Sequence, residues 1–522
     1  MAGDSGPAMS RAGALLLGVV AAALVCVAWA TRDFFMDDAF IGFQFLRNMT
    51  AGHGFVFFPG AAPVEGVTNV GWLLLLAPLT MVATPEVAAK AAGGAFLVLA
   101  LAQTLRLSRR AAAACDDLPF VATLLVVPVL AVALRFDFFY FALAGMETAL
   151  LAALLLAMAG IAWSRPASVA AAALGGIAFL VRPEAAGVYV LYFVLLVAAD
   201  RGRARSMVPP AAAFLAIVAA VTAGRILYFG DVLPNTFYSK PGTVVGQVNN
   251  LFEFLVGLND NLPFPVSGVL ALPPLAMGYV RLDRCRPSAA AMLGAIALTG
   301  LMFGLYSKQD WTGYGRYFAP YLPAAAILLW LGVLAIAAPF AAHAGARTAR
   351  RFAAFAVALV TFIGAVGLVR SFLMIERYPG YVIASRSLVE PARWMHDNLP
   401  PDATIASRRI GVLAYHSHRR VFDYAYGLTE RDVAHLISAR GAAFTDPTDA
   451  GLAALWRRAA PRYVLEDEPV LEEIAREANG SAARFVLHGL EYRVVKRFPI
   501  GRHAVWALAA RTGADSLAVA PR

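Results

Sequence analysis

Two carboxylates stand side by side at Asp37 and Asp38, in the stretch FFMDDAFIGFQF that follows directly on an apolar run. Adjacent ionised acids repel, which raises the affinity of one for a proton or a cation and suits it to general-base work. Charge is costly to desolvate at a membrane boundary, so an acid pair packed against apolar spans is a functional candidate by default; the bland alternative is a solvated loop end. The loop continues as RNMTAGHGFVFFPGAAPVEGVTNVGW, where Gly52, Gly54, Gly60 and Gly66 with Pro59 and Pro63 prescribe tight turns. Such turns can return Glu65 toward Asp37. His53 stands alone among the glycines, and Thr68 and Asn69 are placed to cap a following helix.

Further charges recur beside apolar runs: Glu147 in GMETAL, Arg182 and Glu184 in VRPEA, Lys240 in YFGDVLPNTFYSK, and Asp310 with Arg316 in KQDWTGYGRYFAP. Arginine and lysine on the side of a membrane that normally lacks them imply an anion that holds them there. Arg182, Lys240 and Arg316 together suit the phosphate of a lipid, against the alternatives of pairing with Asp231 or Asp310 and of snorkelling to the headgroups.

The elements that must position these groups are membrane spans. Of 522 residues, 60% are hydrophobic and 15% charged, with a mean hydropathy of +0.65, a composition that excludes an ordinary soluble protein. The net charge of +10 has a membrane explanation rather than a nucleic-acid one. Four basic segments, each with three arginines, separate apolar runs: Arg106, Arg109 and Arg110; Arg201, Arg203 and Arg205; Arg281, Arg284 and Arg286; Arg347, Arg350 and Arg351. Placed in the cytoplasm, they send 31–68, the turns near Met146 and Arg182, 229–262 and 307–317 to the opposite side.

Spans near the length needed to cross a bilayer read at 12–30, 86–104, 118–140, 147–163, 167–181, 185–199, 207–228, 264–280, 288–306, 318–340 and 352–374. The expectation is eleven crossings, with 70–83 as a re-entrant segment too short to cross. The first span is expected to be a retained anchor, since it is longer than a signal-peptide core and carries little charge before it. Residues 1–374 form the membrane domain.

From 375 to 522 charged residues interleave with short apolar runs, which predicts an external α/β domain. Helices are expected at SLVEPARWMHDNL, near GVLAYHS, at ERDVAHLISAR and at TDAGLAALWRRA, and strands at ATIAS, RVFDY and RYVLED. Cys26, Cys115 and Cys285 fall in the first span and in cytoplasmic loops, so no disulfide framework is expected. Zinc spacings, a Walker loop, a dinucleotide fingerprint and a nucleophile elbow are all lacking, and the inverted repeats common in transporters are not visible.

The ordered set DDAFIGFQFLRNMTAGHGFVFFPGAAPVEGVTNVGWLLLL, GMETAL, VRPEA, YFGDVLPNTFYSK, QDWTGYGRYFAPYLP and WMHDNLPPDATIA resembles the GT-C integral-membrane glycosyltransferases related to the actinobacterial terminal arabinofuranosyltransferases. The resemblance implies a polytopic α-helical protein of the plasma membrane, multi-pass among membrane lipids. It implies inverting transfer of a sugar from a polyprenyl-phosphate donor, on the outer face, to a glycan, lipid or protein acceptor. Carried onto this sequence it makes Asp37 the base, Asp38 the residue that orients the acceptor or holds an optional divalent cation, and Glu65 a substrate contact. His53, Asn69, Glu147, Arg182, Lys240, Asp310 and Arg316 are the further substrate-binding candidates; no metal site or cofactor is otherwise implied. IGFQFLRN, FVFFPG and YGRYFAP depart from the pattern usual in that family, which leaves arabinose, a hexose and a deoxysugar open. The rival classes are a lipid or sugar transporter and a non-catalytic scaffold of envelope assembly.

Overall fold

The computed structural model describes residues 7–115, 121–239, 267–306, 316–375, 383–441, 444–477, 480–481, 483–500 and 504–513. Helices α1 (Arg11–Ala30), α2 (Asp37–Thr50), α3 (Val70–Leu76) and α4 (Pro85–Cys115) open the chain. The 70–83 segment consists of α3, seven residues long, and a single turn at Leu79–Met81 beyond Pro78. At about 1.5 Å per residue α3 is far shorter than a bilayer.

The stretch 118–140, read in the sequence as one span, is instead broken. Helices α5 (Val121–Leu124), α6 (Val127–Ala133) and α7 (Phe136–Leu143) follow one another with a 59° bend before α7. Pro128 sits at the start of α6, and Arg135, between α6 and α7, pairs with Asp137 at 2.6 Å. Two charges inside an apolar run are satisfied where the helix restarts, which the hydropathy pattern alone did not separate from a continuous span.

Helices α8 (Thr148–Ala162), α9 (Val169–Val181), α10 (Ala186–Ala199) and α11 (Ala204–Phe229) follow, then the short α12 (Asn235–Tyr238). Helices α13 (Ser267–Cys285), α14 (Pro287–Tyr306) and α15 (Leu322–Ile375) complete the bundle. The last is two helices joined at Gly345, whose φ of 70° only glycine adopts readily. The break falls next to the arginine segment 347–351, between the two spans expected there. Among the described residues, four helices are long and apolar enough to cross a membrane, five if the bent pair is counted as one; α8, α9, α10 and α14 are apolar but shorter.

The bundle has two chemically distinct ends. Arg281 donates to the Cys115 carbonyl at 3.1 Å, Arg109 to Pro7 at 3.2 Å and Arg110 to Gly160 at 3.2 Å, which gathers arginine-bearing segments at one end. Near the start of α4, Lys90 donates to the carbonyls of Phe34 and Leu143 at 3.0 and 2.8 Å. Twenty helical residues separate Lys90 from Arg110, about 30 Å, the thickness of a hydrocarbon core.

After α16 (Ile383–Asn398) the chain forms a sheet flanked by helices. Strands β1 (Thr404–Ala406), β2 (Arg420–Phe422) and β3 (Tyr463–Asp467) alternate with α17 (Gly411–Ser417), α18 (Arg431–Arg440) and α19 (Ala453–Ala459). Helix α20 (Glu468–Glu477) and strands β4 (Arg484–Leu487), β5 (Leu490–Ile500) and β6 (Ala504–Arg511) were not foreseen. The sheet order is β2-β1-β3-β6-β5-β4, parallel around β1 and antiparallel beyond β3. Neighbouring strand residues point to opposite faces. Ile405, Leu465 and Leu508 join the core that is continuous with the bundle, while Ala406, Val464 and Ala507 join a second core around Trp456 and Leu471. The domain is therefore packed onto the membrane part through one face of its sheet.

Candidate active site

Helix α2 fixes the two acids. Asp37 and Asp38 occupy its first turn and Arg47 its last, each sign placed where the helix dipole favours it. Successive residues on a helix point about 100° apart, so the neighbours in sequence do not share a site. Asp37 is buried and turned toward the C-terminal domain, where its carboxylate accepts from the amides of Val412 at 2.8 Å and Gly411 at 3.3 Å. Burial raises its pKa, opposed by the Val412 amide and by Arg409. A β-carbon on Gly411 would lie 2.0 Å from the Asp37 carbonyl oxygen, so this contact requires glycine. Arg47 donates to the Tyr415 carbonyl at 2.9 Å, and the Phe40 ring meets those of Tyr415 and His416. Helix α2 is thus clamped along its length by α17.

Asp38 points the other way. It accepts from Arg316 at 2.7 Å and lines a cavity of about 180 Å³ at the end of the bundle that carries the α/β domain. On the cavity's floor Asn69 donates to Glu147 at 2.7 Å, and Arg182 bridges Glu147 at 3.0 Å and Glu184 at 2.7 Å. Burial works against the Arg182 charge, but Glu184 and Glu147 outweigh it and raise its pKa. The Tyr317 ring lies beneath both guanidinium groups, 5.4 Å from Arg182 and 5.7 Å from Arg316. The side-chain Oδ1 of Asn69 is buried with no protein partner among the described residues, an acceptor left for a hydroxyl donor.

Of the residues singled out in the sequence, Asp38, Asn69, Glu147, Arg182 and Arg316 therefore come together around one cavity. Three others do not line it. Asp37 serves the domain contact. Glu65 is held by Arg225 at 2.9 Å, both side chains buried, while its neighbour Gly66 reaches the cavity wall. His53 is exposed in the turn after α2. Lys240 and Asp310 lie outside the described residues. Among the described residues no group of three or more His, Cys, Asp or Glu side chains is gathered as a metal site would require.

Sequence reasoning missed Arg225, hidden inside an apolar run, and the cavity residues supplied from afar: Phe303, Tyr317, Tyr426 and Leu428. Tyr317 stood in a motif already marked for Arg316; nothing in the sequence singled out Tyr426 or Leu428.

Asp423, fully buried just before that last pair, accepts from the amides of Tyr426 at 3.0 Å and Leu428 at 2.7 Å. Burial pushes its pKa up to about 6, against those amides. An unfolded aspartate releases its proton near about 3.9, so the folded state holds the proton more tightly between those values. The stability this group contributes is present below the unfolded value and is lost as pH rises through 6. In thermal melts of the purified protein, the advantage of wild type over Asp423→Asn should shrink between pH 4.5 and 7.5. An advantage that grows over that interval would contradict the assignment.

Residues 380–517 match a family described only as a domain of unknown function, DUF8728. No curated protein matches the sequence. Among solved structures, the chain is similar to ArnT from Cupriavidus metallidurans. In its apo state the TM-score is 0.58 at 17% identity, covering 96% of this chain and 98% of that one. ArnT bound to undecaprenyl phosphate gives 0.54 at 15% identity over the same shares. Over most of its length, the chain has an ArnT-like fold, that of a multi-pass helical membrane protein.

Proposed function

We propose that this protein is a GT-C glycosyltransferase that moves a sugar from a polyprenyl phosphate to an acceptor hydroxyl at the outer face of the plasma membrane, with the α/β domain extracytoplasmic. The observation that carries this reading is the pairing of Asp38 with Arg316 at 2.7 Å in the cavity wall: a base and a phosphate-binding cation within reach of one reacting centre. The ArnT-like fold, one example of which holds undecaprenyl phosphate, and the family resemblance of the loop motifs support it.

In the reaction, the acceptor oxygen attacks the anomeric carbon, its proton passes to Asp38, and the C1–O bond to phosphate breaks. The bonding electrons leave with the polyprenyl phosphate, and a single displacement inverts the centre. Charge developing on the departing phosphate needs a cation. Arg316 meets it. Drawn to the phosphate, Arg316 relaxes its hold on Asp38, whose carboxylate is then free to accept the acceptor proton. Arg182, already flanked by two carboxylates, carries no spare positive charge and instead positions Glu147 and Asn69 against the sugar hydroxyls.

The purified protein, given a panel of radiolabelled polyprenyl-phosphate sugars, should release labelled sugar to water or acceptor from at least one donor; release from none would overturn the reading. Arg316→Ala should weaken binding of polyprenyl phosphate itself. A charge-assisted contact contributes about 1.5 to 3 kcal/mol, which corresponds to roughly 10-fold to 150-fold in affinity. Unchanged affinity in a titration of that variant would remove Arg316 from the donor site.

A further inference from the structure

We propose that the segment Asp423–Leu428 of the C-terminal domain forms the acceptor side of the cavity, that Tyr426 is a specificity-determining residue there, and that the acceptor it reads is a carbohydrate. This rests on the glycosyl-transfer reading above and gives the α/β domain a part in it.

The cavity is built from two sources. Among the described residues, the membrane part supplies every charged group in its wall: Asp38, Glu147, Arg182, Glu184 and Arg316. The α/β domain supplies Tyr426 and Leu428, and the run Tyr424–Leu428 contains no charge. A donor phosphate therefore belongs against the bundle. The facing wall, a phenol beside an isobutyl group, suits a neutral, hydroxylated ring that offers a C–H face to an aromatic side chain and hydroxyls to its edge.

The wall is also held in one shape, from both sides. The Asp423 carboxylate accepts the Tyr426 and Leu428 amides. From the membrane part, Asn235 donates to the Gly427 carbonyl at 2.9 Å, and the Ser239 hydroxyl donates to the Tyr426 carbonyl. Gly66 lies so close that a β-carbon there would sit 2.2 Å from the Leu428 carbonyl oxygen. Five anchors on six residues fix the Tyr426 backbone, and a preorganised wall of this kind discriminates among ligands instead of adapting to them. Asp423, Asn235 and Ser239 are positioning residues in this arrangement; Tyr426 is the group that meets the acceptor.

The test compares full-length wild type, Tyr426→Ala and Tyr426→Phe, using a donor that the wild type turns over and a panel of methyl glycosides and short oligosaccharides as acceptors. Tyr426→Ala should raise the acceptor KM at least 10-fold more than it lowers the rate of donor hydrolysis in acceptor-free buffer. Tyr426→Phe, which keeps the ring, should recover most of that loss and change the ranking of acceptors. An acceptor KM that stays put in Tyr426→Ala, or that changes only in proportion to hydrolysis, overturns the inference while leaving glycosyl transfer intact. So does transfer to peptide or simple lipid hydroxyls with no response to any saccharide. A wild type inactive toward every donor overturns the glycosyl-transfer reading and this inference with it.

Discussion

Asp38→Asn is expected to cut sugar transfer by roughly 100-fold to 10,000-fold, the usual cost of losing a general base, while binding of polyprenyl phosphate survives. The asparagine keeps the volume of the side chain and removes the lone pair that would take the acceptor proton. It also removes the anion that engages Arg316 at 2.7 Å, so affinity for the lipid phosphate should hold or rise. Asp37→Asn should behave differently. Its carboxylate serves two amides of the C-terminal domain and lies off the cavity, so the change should lower the melting temperature and reduce transfer less than Asp38→Asn does. Rate measurements at saturating donor, paired with lipid-phosphate titrations and melts, separate the two. Normal turnover in Asp38→Asn with a dead Asp37→Asn would return the base to Asp37.

The orientation of the acid pair marks where sequence reading stopped. The acid pair, the motif order and the cations beside apolar runs were all legible as residue chemistry, and five of the residues chosen meet around one cavity. Which of two adjacent acids faces the cavity depends on the phase of α2, and the glycines downstream drew attention to turns instead of to the helix. Its signal was nevertheless present: acids in the first turn, Arg47 in the last, and a nearly all-apolar body. Glu65 illustrates a different limit. Its partner Arg225 lies 160 residues away, inside a run whose hydropathy argued only for a span. In the α/β domain, the parallel strands were readable because helices separate them. Strand β5 was not: the register shift between Val494 and Lys496 interrupts the alternation by which a strand shows itself, although Tyr492 and Phe498 on either side are buried. Tyr426 and Leu428 carry no local signal at all, since their importance comes from docking of the domain.

Arg182→Ala should be the most damaging change to the fold of the site. The guanidinium satisfies Glu147 and Glu184 together, and all three side chains are at most 10% exposed. Removing it leaves two buried carboxylates beside each other, and breaking a buried pair in this way costs roughly 3 to 5 kcal/mol, a large fraction of the stability of an ordinary domain. Arg182→Lys should rescue little, because one ammonium cannot reproduce the planar fork that reaches both acids. The cause can be isolated by neutralising the orphaned groups: adding Glu147→Gln and Glu184→Gln to Arg182→Ala should recover much of the lost melting temperature, though not transfer. A structural role for Arg182 is then distinguished from a phosphate-binding one by the lipid titration. If Arg182 positions acids, the rescued triple variant binds polyprenyl phosphate better than Arg316→Ala does. If the triple variant is stable and still fails to bind the lipid phosphate, Arg182 belongs with Arg316 in the donor site, and its two carboxylates are the groups that the phosphate displaces.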